Sequence, residues 1–414
     1  MSEQQITIVG AGIVGICCAI DLQEKGFSVT LIDRQQPAQE TSFGNAGLFS
    51  SSNITPIASP DLISRIPRLL ANLERDVHFH YSQLLKLTPW LIRFLRRCRR
   101  QAFLDDGVLM HAIVEPSIKM HLEWIKKFGA GSLLRSGSAM KLYRKRETYL
   151  EERLERELLD LCGVDYELLE NREWLDREPG LSDIFNCAVI IKDTESVTNP
   201  GKLCLTYFDY FLSMGGRFEQ QQINSLSYQG DKWSLGTEFG SLTVDRLVLA
   251  MGAWTPQLLN QIGYRNPIAM ERGYHCIARP NSNFELNQPI YDVDGSYVMS
   301  QMEMGLRITT GSDLVYSETD PTPVQIDLVL PLVKQAFPIG EMISDQPWMG
   351  RRPTAPDSLP LIGPAPRHPN LWLAFAHSHM GLTMGPMTGR MLGHFVRGEN
   401  QPLDITPYLP SRYL

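Results

Sequence analysis

The chain has 414 residues, 43% of them apolar and 21% charged, which suits a folded protein of two or three domains with a sizeable core. A formal net charge of −7 lacks the basic excess that marks nucleic-acid binding, so that class of partner is excluded. Seven cysteines without regular spacing read as reduced thiols, adjacent Cys17 and Cys18 as small core residues, and no Cys/His pattern has the spacing of a metal site.

The opening "MSEQQITIVG" has no basic segment followed by an apolar run, so no secretory signal is expected and the protein reads as cytoplasmic. Nor does any run reach the roughly 18 apolar residues of a membrane-spanning helix. Within it "ITIV" predicts a strand, "GAGIVG" a turn, "VGICCAIDLQEKG" a helix and "SVTLID" a second strand, closing a βαβ unit of about 30 residues. Each glycine has a mechanical reason. Gly10 permits the tight turn, Gly12 lets backbone approach a pyrophosphate, and Gly15 lets helix and strand pack closely. The helix N-terminus then offers N–H groups to the phosphates. Asp33 ends the second strand, where a carboxylate accepts both ribose hydroxyls and disfavours a 2′-phosphate.

That unit alone does not separate NAD from FAD. In "ETSFGNAGLFS", Ser42, Gly44, Asn45, Ala46 and Gly47 form a small-residue turn whose backbone can lie against a flat ring system. Much later "LTVDRLVLAMGAWTPQLL" predicts a buried strand, then Ala250, Gly252 and Ala253, then a helix, a second place of close backbone approach. A dinucleotide touched from Gly10, Asn45 and Gly252 suits FAD better than NAD.

Residues 60 to 130 read as helices. Among them "LLKLTPWLIRFLRRCRRQAF" mixes Lys86, Arg93, Arg96, Arg97, Arg99 and Arg100 with Leu, Trp and Phe. It reads either as a helix with a solvated basic face or, over 84–102, as a peripheral contact with an anionic membrane. "SGSAMKLYRK", "ETYLEERLERELLDLC" and "VDYELLE" predict strand, helix and strand; "DTESVTNPGKLCLTYFDYFLSMGGRFEQQQINSLSY" predicts a turn, a helix ending at Gly215 and Gly216, and a strand. Strands dominate from about 264 to 340, apart from a helix in "PVQIDLVLPLVKQAF", and the chain closes with strand, glycine turn and helix in "NLWLAFAHSHMGLTMGPMTGRMLGHFVRG". The expected fold class is mixed α/β: a nucleotide domain from 1–85, 191–263 and 345–414, and a β-rich domain with a helical lid from 86–190 and 264–344.

"IVGAGIVG", "ETSFGNAGL", "VLAMGAWTPQLL", "ERGYH", "GRRPTAPDSLPLIGP" and "AHSHMGLTMGP" occur in the order seen in the flavin-dependent amine oxidoreductases of the D-amino-acid oxidase superfamily. The chain resembles these over nearly its whole length, above all bacterial D-amino-acid dehydrogenases, and "ERGYH" with "RRPTAPDSLPLIGP" resembles a subgroup acting on D-hydroxyproline and related imino acids. The resemblance implies an FAD domain with a mixed sheet and an antiparallel sheet roofing the flavin. It places cofactor contacts at Gly10, Gly12, Ile13, Val14, Gly15, Asp33, Arg34, Ser42, Asn45, Ala46, Gly47, Leu48, Ile223, Ala250, Gly252 and Trp254, and at Gly381, Leu382 and Thr383 beside the flavin pyrimidine. The FAD is expected to be non-covalent, because no cysteine stands where relatives attach it.

The resemblance also gives Arg352, just before Pro353, the role of clamping the substrate carboxylate through a bidentate fork; the alternative is an ion pair with an internal acid such as Asp357. Arg351 has no counterpart and is expected to pair structurally. Tyr297 matches a tyrosine that helps hold the carboxylate, or is a core aromatic. Tyr274 and His275 line the site or pack in the core. His379 sits where relatives carry a residue near substrate, and His377 reads as structural.

The implied activity is hydride transfer from the Cα of a D-amino or cyclic imino acid to flavin N5, with electrons passing to a quinone or the respiratory chain. The alternatives are a glycine or sarcosine-type oxidase using oxygen, or a flavoprotein subunit needing a partner chain. Oligomeric state is left open.

Overall fold

The computed structural model describes residues 4–280 and 284–414; residues 1–3 and 281–283, which fall inside the expected domains, lie outside the described residues. Strand Gln5–Val9 runs parallel between Ser28–Asp33 and Leu247–Leu249, in a six-stranded sheet completed by Arg217–Gln220, Leu371–Phe375 and the antiparallel edge strand Leu361–Pro364. Its β-branched run is buried along almost its full length, as a central parallel strand covered on both faces requires.

Helix Ile13–Glu24 packs on this sheet and crosses the final helix, Gly381–Arg397, at very short range. A Cβ on Gly389 would stand 2.5 Å from the Cys17 carbonyl oxygen, so only glycine fits that crossing. Cys17 and Cys18 are fully buried there, as expected of small core residues. The long helix Arg100–Lys127 covers the other side of the final helix.

The second sheet has eleven strands and is built around Ala269–Pro280, which pairs antiparallel with Gly305–Val315 on one side and with Trp348–Thr354 on the other. Pro353 is tolerated because Trp348–Thr354 is an edge strand. The large sheet takes Cys187–Val197 and Trp348–Thr354 across the expected boundaries at residues 190/191 and 344/345, and also takes Leu48–Phe49 and Val77–Phe79. A three-stranded meander of Ser225–Gln229, Lys232–Thr237 and Gly240–Val244 flanks the nucleotide sheet.

Three local expectations are corrected. The segment from Asp193 opens as strand, because Cys187–Val197 pairs through it with Leu134–Tyr143 past a bulge at Gly137, and the turn ahead of the helix is confined to Thr198 and Asn199. The charged helix breaks at Glu152 into Arg146–Glu151 and Arg153–Leu161. The basic segment is two helices, Leu84–Arg97 and Arg100–Lys127, divided where Arg99 turns extended with φ −136° and ψ 143°.

Candidate active site

A cavity of about 390 Å³ runs from the C-terminal edge of the nucleotide sheet to the inner face of the large sheet. One end is the glycine turn. Gly10 has φ +113°, and a Cβ there would stand 2.3 Å from the Ala250 carbonyl oxygen, so the turn needs glycine both for its conformation and for contact with the neighbouring strand. Asp33 Oδ2 accepts the Ala11 N–H at 2.7 Å, and Ser42 Oγ accepts the Ile13 N–H at 3.1 Å. Gly12 has no side chain to cap the helix that starts at Ile13, so apart from the Ile13 N–H held by Ser42 its N-terminal dipole end opens on the cavity. Trp254 closes this end with the Arg34 guanidinium stacked 4.2 Å from its ring centre.

The turn at Phe43–Asn45 is fixed from below. Fully buried Arg307 donates from Nη1 to the carbonyls of Phe43 (3.1 Å) and Asn45 (2.6 Å). It has no carboxylate partner among the described residues, and burial pushes its guanidinium down to about 10, still charged at neutral pH. From above, Trp348 covers Gly44 so closely that a Cβ there would stand 1.8 Å from the indole, and His275 stacks on the same indole at 4.8 Å. Burial and the nearby Arg307 push His275 down to about 3, so it is neutral.

A second helix N-terminus opens on the cavity at Gly381–Thr383, again without a side-chain cap. It is held from behind. His121, on Arg100–Lys127, is buried, and burial lowers it to about 4. The neutral ring donates from Nε2 to the Leu382 carbonyl at 2.9 Å, which leaves Nδ1 to accept the Tyr207 hydroxyl at 2.8 Å. Phe49 stacks on that imidazole at 4.3 Å, and Thr383 Oγ1 donates to the Leu48 carbonyl at 3.2 Å.

Arg352 faces the cavity near His379. Its Nη1 donates to Glu271 Oε1 at 2.8 Å and to Ser312 Oγ at 3.1 Å. Glu271 stands directly across the strand pair from it and also accepts from Ser312 Oγ (2.5 Å) and Thr354 Oγ1 (3.0 Å). Burial alone would raise this carboxyl, but Arg352, His379 and the Ser312 hydroxyl outweigh it, and Glu271 stays below its ordinary value. His379 is exposed on the cavity wall; desolvation by the surrounding walls lowers its imidazole, Glu271 opposes that and Arg352 adds to it. The internal partner of Arg352 is therefore Glu271 and not Asp357, which pairs with Arg412 at 2.8 Å. Arg351 pairs with Glu318 at 3.0 Å.

Strand parity decides the tyrosines. Tyr297 is buried in the hydrophobic core behind the sheet, with its hydroxyl 3.5 Å from the Leu332 carbonyl, and its neighbour Val298 faces the cavity instead. The expected carboxylate contact from Tyr297 is thus not made. Tyr274 borders the cavity, but its hydroxyl donates to Asp313 Oδ2 (3.1 Å) on the far face and accepts the Thr322 N–H (2.9 Å). Asp313 there is bridged by fully buried Arg272. His377 is structural: Nε2 meets Thr388 Oγ1 at 2.9 Å, and burial pushes it down to about 3.

Gly10, Gly12, Ile13, Val14, Asp33, Arg34, Ser42, Asn45, Ala46, Leu48, Ile223, Ala250, Gly252, Trp254, Gly381, Leu382 and Thr383 line the cavity. Gly15 and Gly47 stand behind it. A Cβ on Gly15 would meet the Gly10 carbonyl at 1.8 Å and one on Gly47 the Val197 carbonyl at 2.4 Å, so both serve packing. Sequence reasoning missed Glu271, Gly273, Arg307, Trp348 and His121. Alternation in "MERGYHC" marks Glu271, Gly273 and His275 as one face, the signal that could have found two of them.

A glycine cradle, a carboxylate at the end of the second strand and two helix N-termini on one cavity define a dinucleotide-binding site, and these residues fit FAD. The chain belongs to the DAO family of FAD-dependent oxidoreductases, whose profile it matches over residues 5–394. It is 27% identical to a D-amino-acid oxidase of Bradyrhizobium diazoefficiens over 421 aligned residues, covering 99% of each chain. Its fold matches that of glycine oxidase from Geobacillus kaustophilus, with a TM-score of 0.77, 17% identity and all of both chains covered. L-Proline dehydrogenase from P. horikoshii shares the fold at a TM-score of 0.72 and 16% identity, covering 99% of this chain and 97% of that one. None of the seven cysteines lines the cavity.

Proposed function

We propose that the chain is a dehydrogenase that oxidises D-amino acids or cyclic imino acids such as D-proline or hydroxy-D-proline. Arg352 carries the reading. Its guanidinium is anchored through Nη1 to Glu271 and Ser312 and opens on the cavity, where it can fork onto a ligand carboxylate. His379 beside it has its imidazole lowered from the ordinary value, which favours the base form that can take the proton a substrate ammonium must lose. When bound, FAD would supply the acceptor for the hydride on the substrate Cα; a cyclic imino acid then leaves as its imine, and the imine of a D-amino acid takes up water and releases ammonia to give an oxo acid. The likeness to a D-amino-acid oxidase supports the D-amino acid; the fold shared with a proline dehydrogenase is compatible with a cyclic imino acid. The electron acceptor in this reading is a respiratory quinone.

The test is anaerobic bleaching of the flavin absorbance of the purified protein by paired D- and L-amino acids, with D-proline, cis-4-hydroxy-D-proline and sarcosine included. Bleaching by a D-amino or D-imino acid but not its L-enantiomer, followed by rapid reoxidation with a quinone and slow reoxidation in air, supports the reading. Bleaching by glycine or sarcosine with peroxide formed in air replaces it with an oxidase. Failure of every amine to bleach a yellow protein points to a partner-dependent subunit and removes the role given to Arg352.

A further inference from the structure

Helices Leu62–Leu70 and Leu84–Arg97 pack through Leu69, Leu87 and Trp90 against Phe79, Ala269 and Leu314 of the large sheet. Trp90 Nε1 donates to the Thr354 carbonyl at 2.8 Å, which ties helix Leu84–Arg97 to the strand that carries Arg352; neither helix lines the cavity, so the expected helical lid is not formed by them. With its inner face so occupied, helix Leu84–Arg97 still leaves Leu85 (88% exposed), Ile92 and Leu95 outside. Ile63, Leu70, Leu73 and Tyr81 are exposed beside them. Seven of the twenty large apolar side chains exposed among the described residues thus fall between residues 63 and 95, far more than a stretch that short should hold.

The charge of the same region is one-sided. No Asp or Glu occurs from Val77 to Leu104, although the whole chain carries 46 of them and a net −7. Arg97 is neutralised by Asp106 and Arg100 by Glu157, and on the neighbouring helix Arg65 and Arg68 pair with Asp76 and Glu74. Lys86, Arg93, Arg96 and Arg99 are exposed and have no carboxylate within 4.0 Å among the described residues. The surface is therefore apolar and cationic at once.

We propose that the outer face of these two helices docks on an anionic phospholipid membrane. The four free cations match lipid phosphates, and the leucines and isoleucines between them are the side chains that enter the acyl boundary of an interfacial helix. A second copy of this chain fits less well, because a two-fold contact would bring the same unpaired cations face to face. No helix of the described residues is long and apolar enough to cross a membrane, so the contact is peripheral.

The test is co-sedimentation of the holoenzyme with phosphatidylcholine vesicles with and without phosphatidylglycerol, at low and high salt. Wild type is expected to pellet only with phosphatidylglycerol and only at low salt. The K86Q/R93Q/R96Q/R99Q variant is expected to bind about 100-fold more weakly or worse, given the contribution of each basic residue near an anionic surface. Leu85→Ser with Ile92→Ser is expected to lose binding while turnover with a soluble electron acceptor stays at the wild-type level, which shows the fold intact. Binding that ignores lipid charge, no binding at low salt, or full binding by the charge variant would overturn the proposal. A dimer in solution that these variants dissociate would also overturn it, assigning the face to a second copy.

Discussion

Arg352 lies flat over Gly273: a Cβ on that glycine would stand 2.3 Å from Nη2 of the arginine and 2.6 Å from its Cζ. The clash falls on the end of a long side chain, so Gly273→Ala should fold and keep its flavin. What it cannot keep is the guanidinium position. Displacing a substrate-holding group by about 1 Å costs on the order of 100-fold, and kcat/KM for the best substrate is expected to fall by about that much. Steady-state kinetics on a protein with normal flavin content check it.

Arg352→Lys should be worse than charge conservation suggests. Lysine offers a point charge in place of a planar fork and cannot hold Glu271, Ser312 and a ligand carboxylate together. A loss of about 100-fold or more in kcat/KM is expected, with flavin binding unchanged. Titration with a non-reactive carboxylate inhibitor should show the loss directly, as weaker binding.

His379 predicts the shape of the pH profile. Its imidazole is lowered from 6.5, so the base form persists below that pH and an acid limb in kcat/KM should fall beneath 6.5. In His379→Gln this limb should vanish, while the alkaline side keeps its shape. A limb unchanged in the variant would assign it to another group.

Gly15→Ala tests the nucleotide cradle. The added methyl would stand 1.8 Å from the Gly10 carbonyl oxygen, and backbone cannot swing aside as a side chain can. The variant is expected to purify colourless or nearly so. Added FAD should restore less than a tenth of the yellow absorbance, on the order of the loss a displaced phosphate turn entails.

Asp21 carries a stability prediction. Burial raises its carboxyl to about 7, with Lys25 and Arg390 opposing only in part, and Oδ2 has no hydrogen-bond donor. An acid whose folded value lies above its unfolded value binds more protons when folded, so its contribution falls as pH rises from about 3.9 through about 7. Asp21→Asn removes that penalty. At about pH 8 it should be more stable by about 1–3 kcal/mol, and at about pH 4 nearly equal to wild type, as read by denaturant melts.

The nucleotide end of the cavity was legible because its parts are local in sequence: a glycine turn, the helix it opens and the carboxylate that ends the next strand. The substrate end is built from long-range registers. Glu271 and Arg352 are 81 residues apart and meet only because two strands pair in one register. Parity is the other limit. An alternating strand announces two faces without saying which is wet, and Tyr297 took the core while Val298 took the cavity. Trp348 over Gly44, Arg307 beneath the Phe43–Asn45 turn and His121 behind Leu382 are likewise contacts between distant segments, with no local pattern to betray them.

Arg351 and Arg352 are chemically identical neighbours with different occupations, one bound to Glu318 and one leaning over Gly273. Nothing in either side chain assigns these posts; the strand's reading frame against Glu271 and Arg272 does. Gain of one residue between Trp348 and Arg351 would set Arg351 opposite Glu271 and move Arg352 on to the place of Pro353, and loss of one would set Arg352 opposite Arg272. Either change would part Arg352 from Glu271 while leaving the composition of the segment almost untouched. Evolution can therefore rewrite letters along this strand far more freely than it can change the number of them.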